Sequence, residues 1–240
     1  MPPKKPSYFR RVNLLTSMLL VFPLFLVYQV GVLALPEVHN GADLVTTQLL
    51  SLLHGQYGVY ILVNAILALA FAVTIAVLRK KNEFEMRMFV PVLLESGLYA
   101  LFMGSLILFV MQDILHVPPG LSTAAGPPHV GALGNIVLSF GAGVHEELVF
   151  RLIGVTGIAA LCSSVLGLRR GLSLAIAFVV SSALFSAAHH VIGGEPWRVG
   201  VFVYRLLCGL VFATIFQVRG FAVAVYTHAL YDVFVLTLHG

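Results

Sequence analysis

Residues 57–78 read YGVYILVNAILALAFAVTIAVL, twenty-two positions with no charged side chain, in which Asn64 and Thr74 are the only polar groups besides tyrosine hydroxyls. A helix needs about 20 mostly apolar residues to cross the hydrocarbon core of a bilayer. The stretch is followed at once by RKKNEFEMRM at 79–88, where Arg79, Lys80, Lys81 and Arg87 crowd together. An apolar run stopped by a cluster of cations is the pattern of a membrane-spanning helix reaching a polar interface.

The same pattern recurs outward in both directions. Candidate spans fall at 13–35, 57–78, 89–111, 131–153 with a possible helical extension, 171–190, 199–217 and 221–238. Between them lie 36–56, the charged 79–88, the Pro/Gly-rich 112–130, a Leu-Arg-Arg-Gly turn near 168–171, and 191–198. Composition agrees: of 240 residues, 59% are hydrophobic and 10% charged, against about 25% charged in soluble domains. The expected architecture is all-α, a polytopic transmembrane helical bundle of about seven spans in one membrane domain, 1–240. A transmembrane barrel would show short segments of alternating polarity, and these runs are too long and continuous for that.

The net charge of +4 is explained by residues flanking the spans, so no nucleic-acid partner is expected; the lipid bilayer is the partner that composition demands. The run from Leu14 to Leu35 follows Lys4, Lys5, Arg10 and Arg11. It exceeds a signal-peptide core and lacks a small-residue cleavage site, so it reads as a retained first span. With the N-terminus cytoplasmic, those four residues together with Arg79, Lys80, Lys81, Arg87, Arg169, Arg170 and Arg219 fall inside, and Arg198 alone falls outside. The positive-inside rule then fixes the orientation of an integral, multi-pass protein of the cell membrane. Were 152–168 to cross by itself, everything after it would invert; Arg169 and Arg170 argue against that. Cys162 and Cys208 lie in apolar runs and read as small core residues.

Ionisable groups at membrane depth are costly and tend to mark function. In the first three spans the only acidic one is Glu95, which is expected to reach the interface. After residue 140 they concentrate: His145, Glu146, Glu147, Arg151, His189, His190, Arg205, His228 and Asp232. Glu147 and Arg151 are four apart and share a helix face, where an ion pair would neutralise both. Glu146 is rotated about 100° from Glu147 and is directed to a different cavity, where a carboxylate suits general-base work on water. His228 and Asp232 are also four apart, and Phe185 lies one turn before His189.

These residues carry a resemblance. Glu146-Glu147-Leu148-Val149-Phe150-Arg151 fits EExxxR, Phe185 to His189 fits FxxxH, and His228 to Asp232 fits HxxxN/D. In that order they resemble the CPBP intramembrane proteases, the CAAX protease and bacteriocin-processing or Abi family related to type II CAAX prenyl endopeptidase. The resemblance covers roughly 131–240, the expected catalytic core, with 1–130 supplying N-terminal spans. It implies a glutamate-dependent endopeptidase acting on a membrane protein or lipidated peptide: Glu146 and His189 activating water, His228 and Asp232 at the oxyanion, and Glu147 with Arg151 in support. At the last position the prenyl endopeptidases have Asn. Asp232 donates a hydrogen bond only if protonated, and otherwise orients His228.

No cofactor is expected. Zinc is the alternative, with Glu147, His189 and His228 as its ligands, although Val149 breaks any HExxH pattern. The competing functional classes are a non-catalytic membrane scaffold or immunity-type binding protein, and a small transporter, for which the chain lacks repeated halves. The motif positions also leave a puzzle of depth. At about 1.5 Å per residue, His189 lies roughly 27 Å from the start of its span, whereas His228 lies about 10 Å from the start of its own.

Overall fold

A computed structural model describes residues 10–35, 38, 57–80, 84–119, 131–192 and 195–238. The helices are α1 (Leu14–Ala34), α2 (Tyr57–Leu78), α3 (Phe89–Phe109, prolonged by a π turn at Val110–Ile114), α4 (Gly131–Ser164), α5 (Arg170–Val191), α6 (Val199–Arg219) and α7 (Phe221–Leu238). All seven expected spans are helical, and the described residues contain no strand. Most of the expected loops at 36–56 and 112–130, with Lys4, Lys5 and Lys81, lie outside the described residues.

Six of the helices are long and apolar enough to cross a membrane, and α7 is the short one. The protein is therefore an integral, multi-pass membrane protein, and its many exposed Leu, Val and Phe side chains on α2, α3 and α5 face lipid. The segment after 152 does not cross separately. It continues α4 to Ser164 and packs against α5.

Small residues set the helix spacing, as expected where packing rather than hydrophobic contrast holds helices together. A Cβ on Gly141 would lie 2.1 Å from the Tyr28 ring, and one on Gly31 would lie 2.4 Å from Val137, so α1 and α4 meet through glycine. A Cβ on Gly143 would lie 2.9 Å from Ala229 N and from Val225 O, which are backbone atoms of α7. Backbone cannot step aside as a side-chain tip can. Gly143→Ala is expected to cost about 1–3 kcal/mol and to lower activity by moving Glu146 and Glu147 away from α7. Thermal unfolding and turnover measured on the same purified sample check both effects.

The core helix is α7. From Phe221 to Ala229 every residue is buried, enclosed by α3, α4, α1 and α6. Its start is fixed by Gly220, whose φ of 104° suits glycine and turns the chain from α6 straight into α7. Glu95, expected to reach the interface, is paired there with the end of α6. It accepts from Arg219 Nε and Nη2 at 2.6 and 2.8 Å and from Tyr99 at 2.7 Å, while Arg219 also donates to Arg10 O and its carbonyl accepts from Val12 N at 2.8 Å.

Val12, just before α1, thus sits against the α6–α7 junction, and α7 starts level with α1. His189, near the far end of α5, and His228 of α7 nevertheless reach one carboxylate, Glu146. The boundary near Gly220 stands where the sequence placed it.

Candidate active site

The helix that carries both glutamates changes its winding at them. It is α-helical to Glu146, π-helical over Glu147–Val155, and α-helical again over Thr156–Ser164. A π stretch shifts the hydrogen-bond ladder to i→i+5, and such stretches recur at functional sites. Here the Ser181 hydroxyl of α5 donates to the Phe150 carbonyl, so a neighbouring helix satisfies a carbonyl in the widened ladder. A Cβ on Gly154 would lie 3.1 Å from Ser181 Oγ, and its absence lets α5 approach.

Both glutamates are buried, Glu146 at 3% exposure and Glu147 at 0%. Glu147 Oε1 lies 3.1 Å from Arg151 Nη1 and accepts from His228 Nδ1 at 2.8 Å. The expected Glu147–Arg151 pair is thus present, and it also carries a load the spacing did not show: it orients His228. Arg151 donates to Gly209 O at 3.3 Å and lies 4.4 Å over the Phe185 ring and 5.2 Å from that of Phe212. A buried guanidinium is thereby met by a carboxylate, a carbonyl and two ring faces.

Glu146 points elsewhere. Its Oε2 lies 3.9 Å from His189 Nε2 and 3.8 Å from His228 Nε2, so two imidazoles from two helices converge on one carboxylate oxygen. His189 donates Nδ1–H to Phe185 O at 2.9 Å, which assigns the tautomer and leaves Nε2 for Glu146. Phe185 also packs edge-on against His189 at 4.8 Å, giving a physical reason for phenylalanine one turn before that histidine. His228 stacks on Phe212 at 4.4 Å with rings 14° apart. Its Nε2 lies 3.4 Å from Asp232 Oδ2. With Nδ1–H given to Glu147, Nε2 and the carboxylate oxygens around it are all acceptors unless a proton sits among them. A proton on Nε2 or on the Asp232 carboxyl would make this pair a hydrogen bond.

The structure thus brings Glu146, Glu147, Arg151, His189, His228 and Asp232 to one place. It turns His145 away toward α1: Nδ1 donates to Gly141 O one turn back on α4 at 2.9 Å, and the ring packs beside Tyr28 and Phe25 of α1. Two partners were not legible beforehand. Phe212 had no signal beyond being apolar on α6. Glu195, assigned only to a loop, meets Arg205 through two hydrogen bonds, one of them Nε to Oε2 at 3.1 Å; one acid near a basic residue buried in a span was the available clue.

In the zinc alternative, Glu147, His189 and His228, each side chain has a neighbour within the cluster. Glu147 Oε1 and His228 Nδ1 face each other as acceptor and donor, while His189 presents Nε2 to Glu146, so the three do not aim at a common point. Among the described residues no group of three His, Cys, Asp or Glu side chains is arranged to hold a metal ion.

Residues 128–234 match the family model described as type II CAAX prenyl endopeptidase Rce1-like. Over these 107 of its 240 residues the chain is similar to the type II CAAX prenyl endopeptidases. The match takes in α4 to α7, and hence all six residues of the cluster, and leaves α1 to α3 outside. No curated protein and no solved structure matches the chain at a significant level.

Proposed function

We propose that this protein is an intramembrane endopeptidase that hydrolyses a peptide bond near the C-terminal end of a membrane-associated or lipid-anchored protein. The observation that carries the reading is the convergence of His189 Nε2 and His228 Nε2 on Glu146 Oε2 at 3.9 and 3.8 Å. Both separations exceed a direct hydrogen bond, and a single water can bond carboxylate and imidazole across such a gap. Glu146 removes a proton from that water, helped by His189, and the oxygen attacks the peptide carbonyl. The oxyanion is held from the His228 side by a proton on Nε2 or on the Asp232 carboxyl. Glu146 then returns its proton to the leaving amine, and no covalent intermediate forms.

A lipid-linked substrate is supported by an apolar groove of about 520 Å³ between α3 and α6, lined by Phe102, Met103, Leu106, Leu210, Val211 and Val218 among others. Met103 belongs to the same packed cluster as Phe185 and Phe212, so the groove backs directly onto the residues that hold Arg151 and His228. The cations that follow α2 (Arg79, Lys80, Lys81 and Arg87) and precede α5 (Arg169 and Arg170), on the side of Arg10 and Arg11, support a cytoplasmic N-terminus.

The test is peptide-level mass spectrometry of membranes from cells with the gene, without it, and with Glu146→Ala. A new C-terminus that needs both the gene and Glu146 supports proteolysis; a biological effect that survives Glu146→Ala without any cleaved product makes the protein a binding scaffold. Asp232 has its own expectation. Asp232→Asn keeps a donor beside the oxyanion and retains activity within about tenfold, whereas Asp232→Leu loses about 10²-fold or more. Near-total loss in the Asn variant would instead assign Asp232 the task of orienting His228.

A further inference from the structure

His189 stands on weak ground for a residue whose ring must be aimed. It is two residues from the end of α5, whose last carbonyls have no partner within the helix, and ends of this kind fray. Yet its Nε2 must be held toward Glu146. The carbonyl of His189 itself accepts from Glu195 N at 3.1 Å, and the carbonyl of Glu195 faces His190 Nδ1 at 3.1 Å. Glu195 is therefore stitched to the end of α5 in both directions.

What holds Glu195 is α6. Arg205 Nε donates to Glu195 Oε2 at 3.1 Å, and Nη2 donates to Oε1, the two-pronged geometry that a guanidinium makes with a carboxylate and an ammonium does not. Beside this, Trp197 packs on His190 at 4.9 Å and on Phe202 at 5.0 Å, and Ser186 Oγ donates to Phe202 O at 2.8 Å. The Arg205 guanidinium is also close enough to act electrostatically on both His189 and Glu146. No motif of the family resemblance includes Arg205 or Glu195.

We infer that Arg205 and Glu195 are positioning residues for the water-activating pair: the guanidinium holds the Glu195 carboxylate, Glu195 caps the end of α5, and the capped turn keeps His189 Nε2 directed at Glu146. This rests on the reading of Glu146 and His189 as the pair that activates water. Neither residue touches the reacting atoms. Their loss should therefore lower the rate of the chemical step and leave the binding of substrate little changed.

The experiment uses the full chain in detergent or nanodiscs and a peptide carrying the bond identified for the wild type. Arg205→Ala and Glu195→Ala are each expected to lower kcat about tenfold with KM within twofold. Arg205→Lys, which keeps the charge and loses the fork, should fall between them and the wild type. Glu195→Arg with Arg205→Glu should recover most of the lost kcat. Amide hydrogen exchange over 186–192 should accelerate in Arg205→Ala and return in the exchanged pair. Unchanged kcat in properly folded Arg205→Ala and Glu195→Ala, or lowered folded yield with normal turnover per folded molecule, overturns the inference. A rise in KM alone overturns it too and makes Arg205 a substrate contact. If the wild type cleaves nothing, the proteolytic reading fails by itself, and the exchange measurement still decides whether Arg205 orders the end of α5.

Discussion

Glu146→Gln is expected to abolish peptide cleavage, with a loss of about 10³-fold or more, while the purified variant unfolds at nearly the wild-type temperature. Removing a general base costs about 10²–10⁴-fold, and this carboxylate is the point on which both imidazoles converge. The amide has the same shape, so packing around a side chain at 3% exposure is preserved. What is lost is the capacity to take a proton from water. Binding of an uncleaved substrate should persist, which separates a chemical defect from a folding one. Cleavage retained within tenfold would move the base to another residue, and Glu147 is poorly placed to take over because His228 and Arg151 already occupy its Oε1.

Arg151→Met is expected to be the most damaging substitution for the fold, destabilising the protein by about 3–5 kcal/mol, the usual consequence of removing one partner from a buried ion pair. Arg151 is among the largest fully buried side chains in the molecule. Without it, Glu147 Oε1 keeps its bond from His228 Nδ1 but loses its cation, Gly209 O loses a donor, and the faces of Phe185 and Phe212 lose the cation between them. Methionine fills much of the volume, so the effect reads the charge and not a cavity. Thermal unfolding in detergent measures it. Activity should fall as well, because Glu147 also aims His228. A melting temperature within 2–3 °C of wild type would show that the Glu147–Arg151 pair contributes little to the fold.

The contrast between these two glutamates was partly legible in the sequence. Spacing of four told that Glu147 belongs with Arg151 and that Glu146 faces elsewhere, because helical periodicity acts locally. The same rule paired His228 with Asp232, found at 3.4 Å, and apolar run length located all seven helices. Contacts between helices were harder. That Glu147 bonds His228, and that Glu95 pairs with Arg219 across 124 positions, depends on which helices become neighbours. Run length and local periodicity carry no such information. The π winding at Glu147–Val155 was invisible too, since it depends on Ser181 arriving from another helix to take the Phe150 carbonyl.

The buried start of α7 bears on how the protein is made. A helix inserts into a bilayer by itself when its apolar surface is offered to lipid along its length. Nine consecutive residues of α7, from Phe221 on, have no such surface in the finished molecule, and the apolar stretch is shorter than the other six. Joined to α6 by one glycine, α7 draws its place from the slot formed by α1, α3, α4 and α6. Because His228 rides on it, the proposed catalytic cluster exists only where α7 is seated against α4, and a chain without that packing lacks the cluster.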